Sequence, residues 1–347
     1  MDSTILLFLM QDGLTSGAIY ALLGLTLVLV FTVTKVIFVP QGEFVAYGAL
    51  TLAVLDRGQV PGTAWLLLVF AVLAFLVELW SLRHSFQASA FGRLVVTHLV
   101  VPSAILGLTL WLAPLKLGVL AQAALTVLII APMGPYLYRI AFQPLAEASV
   151  LVLLIAAVGA HWSMTGLSLV IFGPEGLRGS ALSTASITVG PLPVSGQSLA
   201  VYAAFLGLMI ALYLFFGRTV IGKALKATAV NRVGAKLVGI PTASAGSTAF
   251  LLAAIIGAIS GVLIAPMTTI YYDTGFLIGL KGFVAAILGG LASYPLTALA
   301  ALGVGMIEAF AAFHASAIKE ILVFMLVIPA LLARALTTTV VEEEEDH

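Results

Sequence analysis

Three glutamates in or near apolar runs are the first side chains of this sequence that could do chemistry. Glu43 and Glu78 fall near the ends of such runs, whereas Glu308 lies deeper within one. Because a buried charge is costly in an apolar medium, each is expected to face the protein interior or water, where a proton relay is one chemistry open to it. Lys281 also lies inside an apolar run, and the sequence names no partner for it.

The remaining motifs exclude more chemistry than they support. Residues 217–224, GRTVIGKA, come close to the phosphate-binding pattern GxxxxGK[ST], but Ala224 lacks the required hydroxyl and an apolar span replaces the preceding strand. His161 and His314 are isolated, and HxxxH, HExxH and GxSxG do not occur. Cysteine is absent as well. We therefore expect no metal, no cofactor and no enzymatic centre in this chain.

The composition is that of a protein whose main solvent is lipid. The chain is 62% hydrophobic and 9% charged, with a mean hydropathy of +1.19, whereas soluble domains carry roughly 25% charged residues. Its apolar residues form runs and do not alternate with polar ones, which argues against a β-barrel. The sequence predicts an all-α polytopic membrane protein, a single domain over 1–347, with about 8–11 transmembrane helices including short or broken ones.

Apolar segments mark where these helices should lie. They cover about 14–34, 44–56, 64–82, 94–112, 119–138, 150–171, 198–216, 246–267, 276–291, 296–313 and 318–334. The first reads as a retained span because no basic region precedes it. A full crossing needs about 20 residues. The second and ninth segments are therefore half-helices, re-entrant pieces or tightly packed short spans.

Two interruptions flank these short segments. Residues 40–43, PQGE, separate the first two spans, and residues 288–295, LGGLASYP, form a late break. Proline and glycine disfavour a continuing helix, so a new helix is expected to begin near Gln41 with its free N–H groups available to a substrate carboxylate. Paired early and late breaks are typical of the substrate path in transporters. Ordinary membrane turns are the alternative.

Residues 217–240 form the most basic part of the chain. They contain Arg218, Lys223, Lys226, Arg232 and Lys236 and no acid. Short loops rich in Lys and Arg stay in the cytoplasm, and a loop of this size also offers a docking surface for a soluble partner. If the N-terminus is outside and every segment crosses, most cations and the acidic tail 336–347 are cytoplasmic.

Two further sequence features concern helix packing and the extracytoplasmic side of this topology. Gly13/Gly17 and Gly257/Gly261 each form a GxxxG pair, which predicts close helix contacts within the fold. The longest polar stretch, 173–197, is rich in Gly, Pro and Ser and falls outside in this topology. It is interpreted either as a flexible connector or as a lip that meets an extracytoplasmic partner.

Several stretches together resemble the permease family of branched-chain amino acid ABC importers. The opening GLTSGAIYAL (13–22) resembles GxxxGxxYAL, IFVPQGEF (37–44) resembles INFAHGE, and YRIAFQPL (138–145) resembles ERxAYRPL. GKALKATAVN (222–231) and GFVAAILGGL (282–291) resemble the coupling segment and a KAFxAAVLGG element of the family. The coupling segment and the Leu-Gly-Gly element are the specific part of a resemblance that covers most of the chain.

The resemblance implies roles for two groups of residues. The coupling segment would rest on an ATPase subunit and carry ATP-driven motion into the pore, through Gly222, Lys223, Lys226, Ala227, Asn231, Arg232, Ala235 and Gly239. The substrate path would involve Tyr20, Gln41, Gly42, Glu43, Phe283, Gly289 and Gly290.

The resemblance also implies an assembly in the bacterial inner membrane. It comprises a second homologous permease, two ATPases that hold ATP and Mg²⁺, and an extracytoplasmic substrate-binding protein, with no nucleic acid. The expected activity is import of branched-chain or other apolar amino acids by alternating access. A permease for urea, amides or aromatic acids, an ion-coupled carrier using Glu43 or Glu308, and a membrane-embedded enzyme are the alternatives.

The chain departs from the family pattern at three places. Residues 84–116 look like an insertion that holds one extra span and part of another. Pro40 and Gln41 replace the usual Ala and His beside the expected path, and LARALT (332–337) replaces the usual Pro-Gly ending.

Overall fold

Long runs of Leu, Val, Ile and Ala make the chain helical, because a backbone in lipid must satisfy its hydrogen bonds internally. The computed structural model describes residues 3–82, 88–189 and 192–337. The helices are α1 (Ser3–Thr34), α2 (Gln41–Asp56), α3 (Gly62–Leu82), α4 (Ala88–Val95), α5 (Val101–Leu112), α6 (Val119–Ile130), α7 (Met133–Leu137), α8 (Val150–Phe172), α9 (Gly196–Arg218), α10 (Val220–Val230), α11 (Arg232–Leu237), α12 (Thr242–Ile264), α13 (Thr274–Leu288), α14 (Tyr294–His314), α15 (Lys319–Met325) and α16 (Val327–Thr337).

Short irregular helices and one hairpin complete the described elements. Single π-helical turns occupy Val96–Val100 and Tyr138–Phe142, and 3₁₀ turns occupy Ala113–Leu115, Gln143–Leu145 and Ser316–Ile318. Strands β1 (Ser186–Val189) and β2 (Leu192–Ser195) pair antiparallel, with Ser186 opposite Ser195.

Eight helical stretches of the described residues are long and apolar enough to cross a membrane. They are Thr4–Thr34, Gly62–Trp80, Phe91–Leu115, Val119–Leu145, Val150–Phe172, Gly196–Arg218, Thr242–Ile264 and Tyr294–His314. With the shorter α2, α13, α15 and α16 beside them, the all-α polytopic prediction is confirmed. The expected final segment, 318–334, is divided near Leu326 into α15 and α16. The acidic residues of the tail lie outside the described residues.

The loops gather at two ends of the bundle. At one end, here called the basic end (residues 146–149, 219–241 and 289–293), Arg232 donates to the Ala146 carbonyl. At the other, here called the hairpin end (residues 57–61, 116–118, 173–189, 192–195 and 265–273), the Ser180 amide donates to Asp56 and Arg178 donates to the Pro266 carbonyl. Described parts of the stretch 173–197 are thus bonded to neighbouring loops and contain the hairpin strands, and its two interpretations stay predictions.

Helix α2 starts halfway along the bundle. Gln41 Nε2 donates to the carbonyl of Ala253, the middle residue of α12. Glu43 Oε1 lies 3.0 Å from Nδ1 of His161, the middle residue of α8. From there α2 runs to the hairpin end, where Asp56 binds Ser180. The expected helix start near Gln41 is confirmed. Glu43 is fully buried, in agreement with the expectation that it faces the protein interior.

Helix α13 also begins near that depth and runs the opposite way. The ring of Phe276, in its first turn, lies 4.7 Å from the ring of His161. The helix ends at Leu288 in a turn at the basic end, where Gly290 and Leu291 have positive φ angles of 81° and 55°. At about 1.5 Å per residue, α2 and α13 are each about 22–24 Å long, which is less than the roughly 30 Å hydrocarbon core. Both are therefore half-helices that overlap where they start.

Glycines allow this overlap. A Cβ on Gly42 would collide with the Gly275 carbonyl, and a Cβ on Gly279 would collide with Gly42 itself. The same close approach occurs where Gly13 and Gly17 meet α14 and where Gly257 and Gly261 meet α2. The two GxxxG predictions are confirmed as contacts within the fold.

Replacing Gly42 with alanine is expected to lower the unfolding temperature of the detergent-solubilised protein. The added methyl group must push α2 and α13 apart, and overpacking of this kind costs about 1–3 kcal/mol. Gly159→Ala is the matched control because its Cβ would meet nothing within 4 Å. Equal unfolding temperatures for the two variants would contradict the close backbone contact.

The half-helix junction and the coupling segment

The chain reaches the start of α2 through a largely buried connection that is not helical. Residues 35–40 follow the end of α1; Lys35 is exposed, whereas Phe38 is fully buried among aromatic rings. Its ring centroid lies 4.6 Å from Phe250 and 5.9 Å from Phe44. Such backbone at membrane depth is tolerated only when protein encloses it. The aromatic cluster therefore holds the connection that places Gln41 and Glu43 midway along the bundle.

The junction of α2 and α13 brings together part of the predicted substrate path. Gln41, Gly42 and Glu43 lie on the first turn of α2, against Gly275 and Gly279 of α13. One helical turn beyond Gly279, Phe283 lines an apolar cavity of about 310 Å³ that Gly279 also borders. These four predicted residues are therefore neighbours or one turn apart.

The other three predicted path residues lie elsewhere. Tyr20 packs on a different side of α13, where its hydroxyl donates to Glu308 Oε2 at 2.6 Å. Gly289 and Gly290 form the turn between α13 and α14 at the basic end, with Gly289 packed directly on Thr297. The late break is thus a turn between helices, and it lies away from the depth where α2 begins.

Lys281 and Glu43, both within the bundle, each contact an ionisable side chain of another helix. Lys281 Nζ lies 2.5 Å from Glu308 Oε1 and 3.3 Å from Glu320 Oε1. Glu43 pairs with His161 at the junction. Charges buried in lipid require such partners. The sequence had left Lys281 without a partner and His161 as an isolated histidine, although a single imidazole in the middle of an apolar span was the available signal.

A third cluster joins α3 to the π-helical turn Tyr138–Phe142. Arg139 pairs with Glu78, and its Nη1 atom lies 3.1 Å from Nε2 of His98. Neither contact of Glu78 is predicted by the local sequence. Across the described residues no group of three or more His, Cys, Asp or Glu side chains is arranged to hold a metal ion.

The coupling segment is a pair of short helices outside the eight spans. The Thr219 hydroxyl caps α10 by accepting from the Gly222 amide at 2.9 Å, and Asn231 Oδ1 caps α11 by accepting from the Gly234 amide at 2.8 Å. Gly239, with φ of 83°, ends α11 as left-handed glycines commonly do. Gly222, Asn231 and Gly239 of the predicted coupling set therefore fix the local fold.

The other predicted coupling residues divide into outward and inward groups. Lys223 and Lys226 are exposed, Ala227 is half-buried and Ala235 is buried. Arg232 turns inward, and its Nη1 donates to the Ala146 carbonyl at 2.8 Å. Lys236 Nζ lies 2.9 Å from Glu147 Oε1. The second half of the segment is thus attached to the loop that leads into α8.

Exposed apolar side chains accompany the exposed cations. Six of them are more than half exposed although they lie outside the spans: Val220, Ile221, Val230, Val233, Leu237 and Val238. Contiguous exposed apolar residues beside charges mark surfaces that bind another protein or a membrane.

Half-length helices meeting midway along a bundle of apolar spans, with a basic segment at one end, define a multi-pass membrane transport protein. The family model of the permease component of branched-chain amino acid transport systems matches residues 9–331, and the chain belongs to this family.

Curated relatives agree with this assignment. The chain is 29% identical over 226 residues to the high-affinity branched-chain amino acid transport system permease protein BraD of Pseudomonas aeruginosa, covering 63% of this chain and 73% of the relative. It is 28% identical to the corresponding permease protein LivH of Salmonella typhimurium and 27% identical to LivH of Escherichia coli, each over 59% of this chain and 69% of the relative. No solved structure matches the chain.

Removing Lys281 is expected to destabilise the protein strongly. Lys281→Met leaves the buried Glu308 carboxylate without its cation, and breaking such a pair costs about 3–5 kcal/mol. The double variant Lys281→Met/Glu308→Gln is expected to recover part of this loss because no uncompensated charge remains at position 308. Thermal unfolding in detergent measures both, and a double variant no more stable than the single one would argue against the pairing.

The Lys236–Glu147 contact is expected to give α11 a pH-dependent attachment. Hydrogen bonding to Lys236 lowers the pKa of the exposed Glu147 carboxyl. A lowered pKa in the folded state means that the attraction is present at neutral pH and is lost as pH falls through that pKa. The rate of hydrogen exchange in α11, relative to that of a Lys236→Ala variant, should therefore increase as the pH falls. The Lys236→Ala variant lacks the ion pair, so its α11 should not show this pH-dependent loss of protection.

The reciprocal exchange provides the matched control for this contact. Lys236→Glu should increase exchange in α11 at neutral pH because it faces Glu147, and Lys236→Glu/Glu147→Lys should restore it. The effect should be modest because the pair is exposed. Failure of the exchanged pair to restore protection would show that the two side chains do not interact.

Proposed function

We propose that this chain is the membrane-spanning subunit of an ATP-driven importer of branched-chain or other apolar amino acids in the bacterial inner membrane. Its basic segment α10–α11 carries the proposal, because it combines exposed cations and exposed apolar side chains outside the spans. The names of the related permeases supply the solute class. The chain belongs to the permease family of branched-chain amino acid transport systems. ATP-driven import and the identity of the solute are proposed in addition.

The assembly that fits this proposal has further subunits. A second homologous permease completes the pore, two ATPases hold ATP and Mg²⁺, and an extracytoplasmic binding protein delivers the solute. The N-terminus and the hairpin end face outward, and the basic end and the C-terminus face the cytoplasm, in keeping with the preference of Lys and Arg for short cytoplasmic loops. Nucleotide chemistry belongs to the partners in this proposal.

The internal contacts suggest how ATP-driven motion reaches the junction. The ATPases move α10–α11, and Arg232 and Lys236 pass the displacement to residues 146–147. Helix α8 begins three residues later, and His161 at its middle contacts Glu43 at the start of α2. Alternating access then consists of a shift of α8 relative to the two half-helices. Glu43 and Glu308 each have a cationic or imidazole partner, which supports structural roles for both over ion coupling.

Charge reversal on the outward face of the coupling segment tests this proposal. Lys223→Glu/Lys226→Glu should reduce co-purification with the ATPases and ATP-dependent leucine uptake in vesicles by at least about tenfold, because like charges at an interface cost several kcal/mol. Arg232 is left unchanged because it holds the fold internally.

The matched control reverses two exposed cations at the hairpin end. Arg57→Glu/Lys116→Glu changes the net charge equally and should leave ATPase association intact. Normal uptake by the Lys223/Lys226 variant would discredit docking through α10. Leucine uptake driven by an ion gradient without ATPases would instead favour the carrier, and uptake of urea, amides or aromatic acids in place of leucine would identify the other solute classes.

A further inference from the structure

An apolar cavity lies between the half-helix junction and the basic end. Its volume is about 310 Å³, and Phe276, Gly279, Leu280 and Phe283 line its α13 side. The remaining lining residues come from α1, the non-helical connection and α8, namely Leu27, Ile37, Phe38, Val39, Leu154 and Val158. Small-molecule sites are commonly concave, mainly apolar and at least about 300 Å³ in volume.

The position of this cavity distinguishes it from a gap between ordinary spans. Gly279 in its wall packs against Gly42 of the first α2 turn, so the cavity begins at the overlap of the two half-helices. Phe276 contacts the ring of His161, the partner of Glu43. Discontinuous helices in transporters meet where the solute passes. Three structural breaks therefore converge on one apolar space: the non-helical connection and the starts of α2 and α13.

Two polar side chains at the junction, Gln41 and Glu43, have acceptor oxygens without a hydrogen-bond partner among the described residues. Gln41 is completely buried, and its Oε1 atom accepts no hydrogen bond. A buried acceptor of this kind is costly unless something binds it for part of the time. Val39, two residues before Gln41, lines the cavity, so this part of the junction suits a solute that has an apolar group at one end and hydrogen-bond donors at the other.

We propose that this cavity receives the aliphatic or aromatic side chain of the transported solute on its way through the permease. The inference rests on the proposed import function and adds the location of the side-chain site. Leu154 and Val158 of α8 form the wall that the coupling segment can move, because residues 146–147 before α8 hold Arg232 and Lys236. A lipid acyl chain is the other source of the same apolar chemistry.

Because the sequence contains no cysteine, a single introduced thiol is the only one in this subunit, and labelling is measured on this subunit after the complex is separated. Val158→Cys places it in the lining, and Ile155→Cys places it on the same helix outside the lining residues. In the assembled complex, a negatively charged methanethiosulfonate reagent should label the thiol at position 158, and leucine delivered by the binding protein during ATP turnover should slow that labelling. At position 155 leucine should have no effect.

The labelling pattern distinguishes the solute side chain from a lipid acyl chain as the occupant of the cavity. A thiol at position 158 that resists the charged reagent, as a lipid-filled cavity requires, overturns the proposal. Labelling that leucine does not slow also overturns it, since water would then reach a space that the solute does not enter. If the unmodified complex lacks ATP-dependent uptake, the import function fails. If uptake is normal and protection is absent, only the side-chain site fails.

A filled cavity provides a second test. Val158→Trp should cause loss of leucine uptake while the binding protein still stimulates ATP hydrolysis, because docking of the partners does not involve this residue. Ile155→Trp, a similar enlargement three residues away, should transport normally. Equal uptake by both tryptophan variants would contradict a solute site at Val158.

Discussion

The backbone contact between α2 and α13 is the constraint on which the rest of the structure depends. Gly42, Gly275 and Gly279 let two helices overlap at their first turns without side chains between them. This overlap allows α2 to start beside the middle of α12 and α8. If the helices stood farther apart, the non-helical connection before Gln41 would lose its enclosure, and lipid cannot satisfy its backbone groups.

Buried contacts between ionisable side chains also help to select one packing of the helices. Lys281 links α13 to α14 and α15 through Glu308 and Glu320, while Glu43 links α2 to α8 through His161. Both half-helices are thus tied to full-length neighbours by polar contacts as well as by packing: α13 by the Lys281–Glu308 ion pair and α2 by the carboxylate–imidazole contact of Glu43 with His161. Pairs of this kind contribute modestly to net stability, but an alternative packing that separates the partners is strongly disfavoured. They consequently select one arrangement of the short helices.

Much of the fold could be predicted from local sequence properties. Apolar runs identified the long spans, and Pro40 with Gly42 indicated the helix start at Gln41, because both signals depend on neighbouring residues alone. The pairing of His161 with Glu43 and of Lys281 with Glu308 could not be predicted, since each joins different helices and depends on how those helices pack. For the same reason, the sequence did not predict that Arg232 contacts the Ala146 carbonyl. The other cations of residues 217–240 are exposed. Gly289 and Gly290 resembled a second path element because a tight turn and a broken helix require the same residues.

Helix α8 follows the loop residues that bind Arg232 and Lys236, forms part of the cavity wall and contacts Glu43 through His161. Two ligands that each favour one position of the same helix influence each other's binding by the same factor. Under the proposed function, the free energy with which ATPase engagement would empty the space beside Val158 equals the free energy with which occupancy of that space would oppose engagement. In that proposal the solute is an effector of the ATPases as well as their cargo.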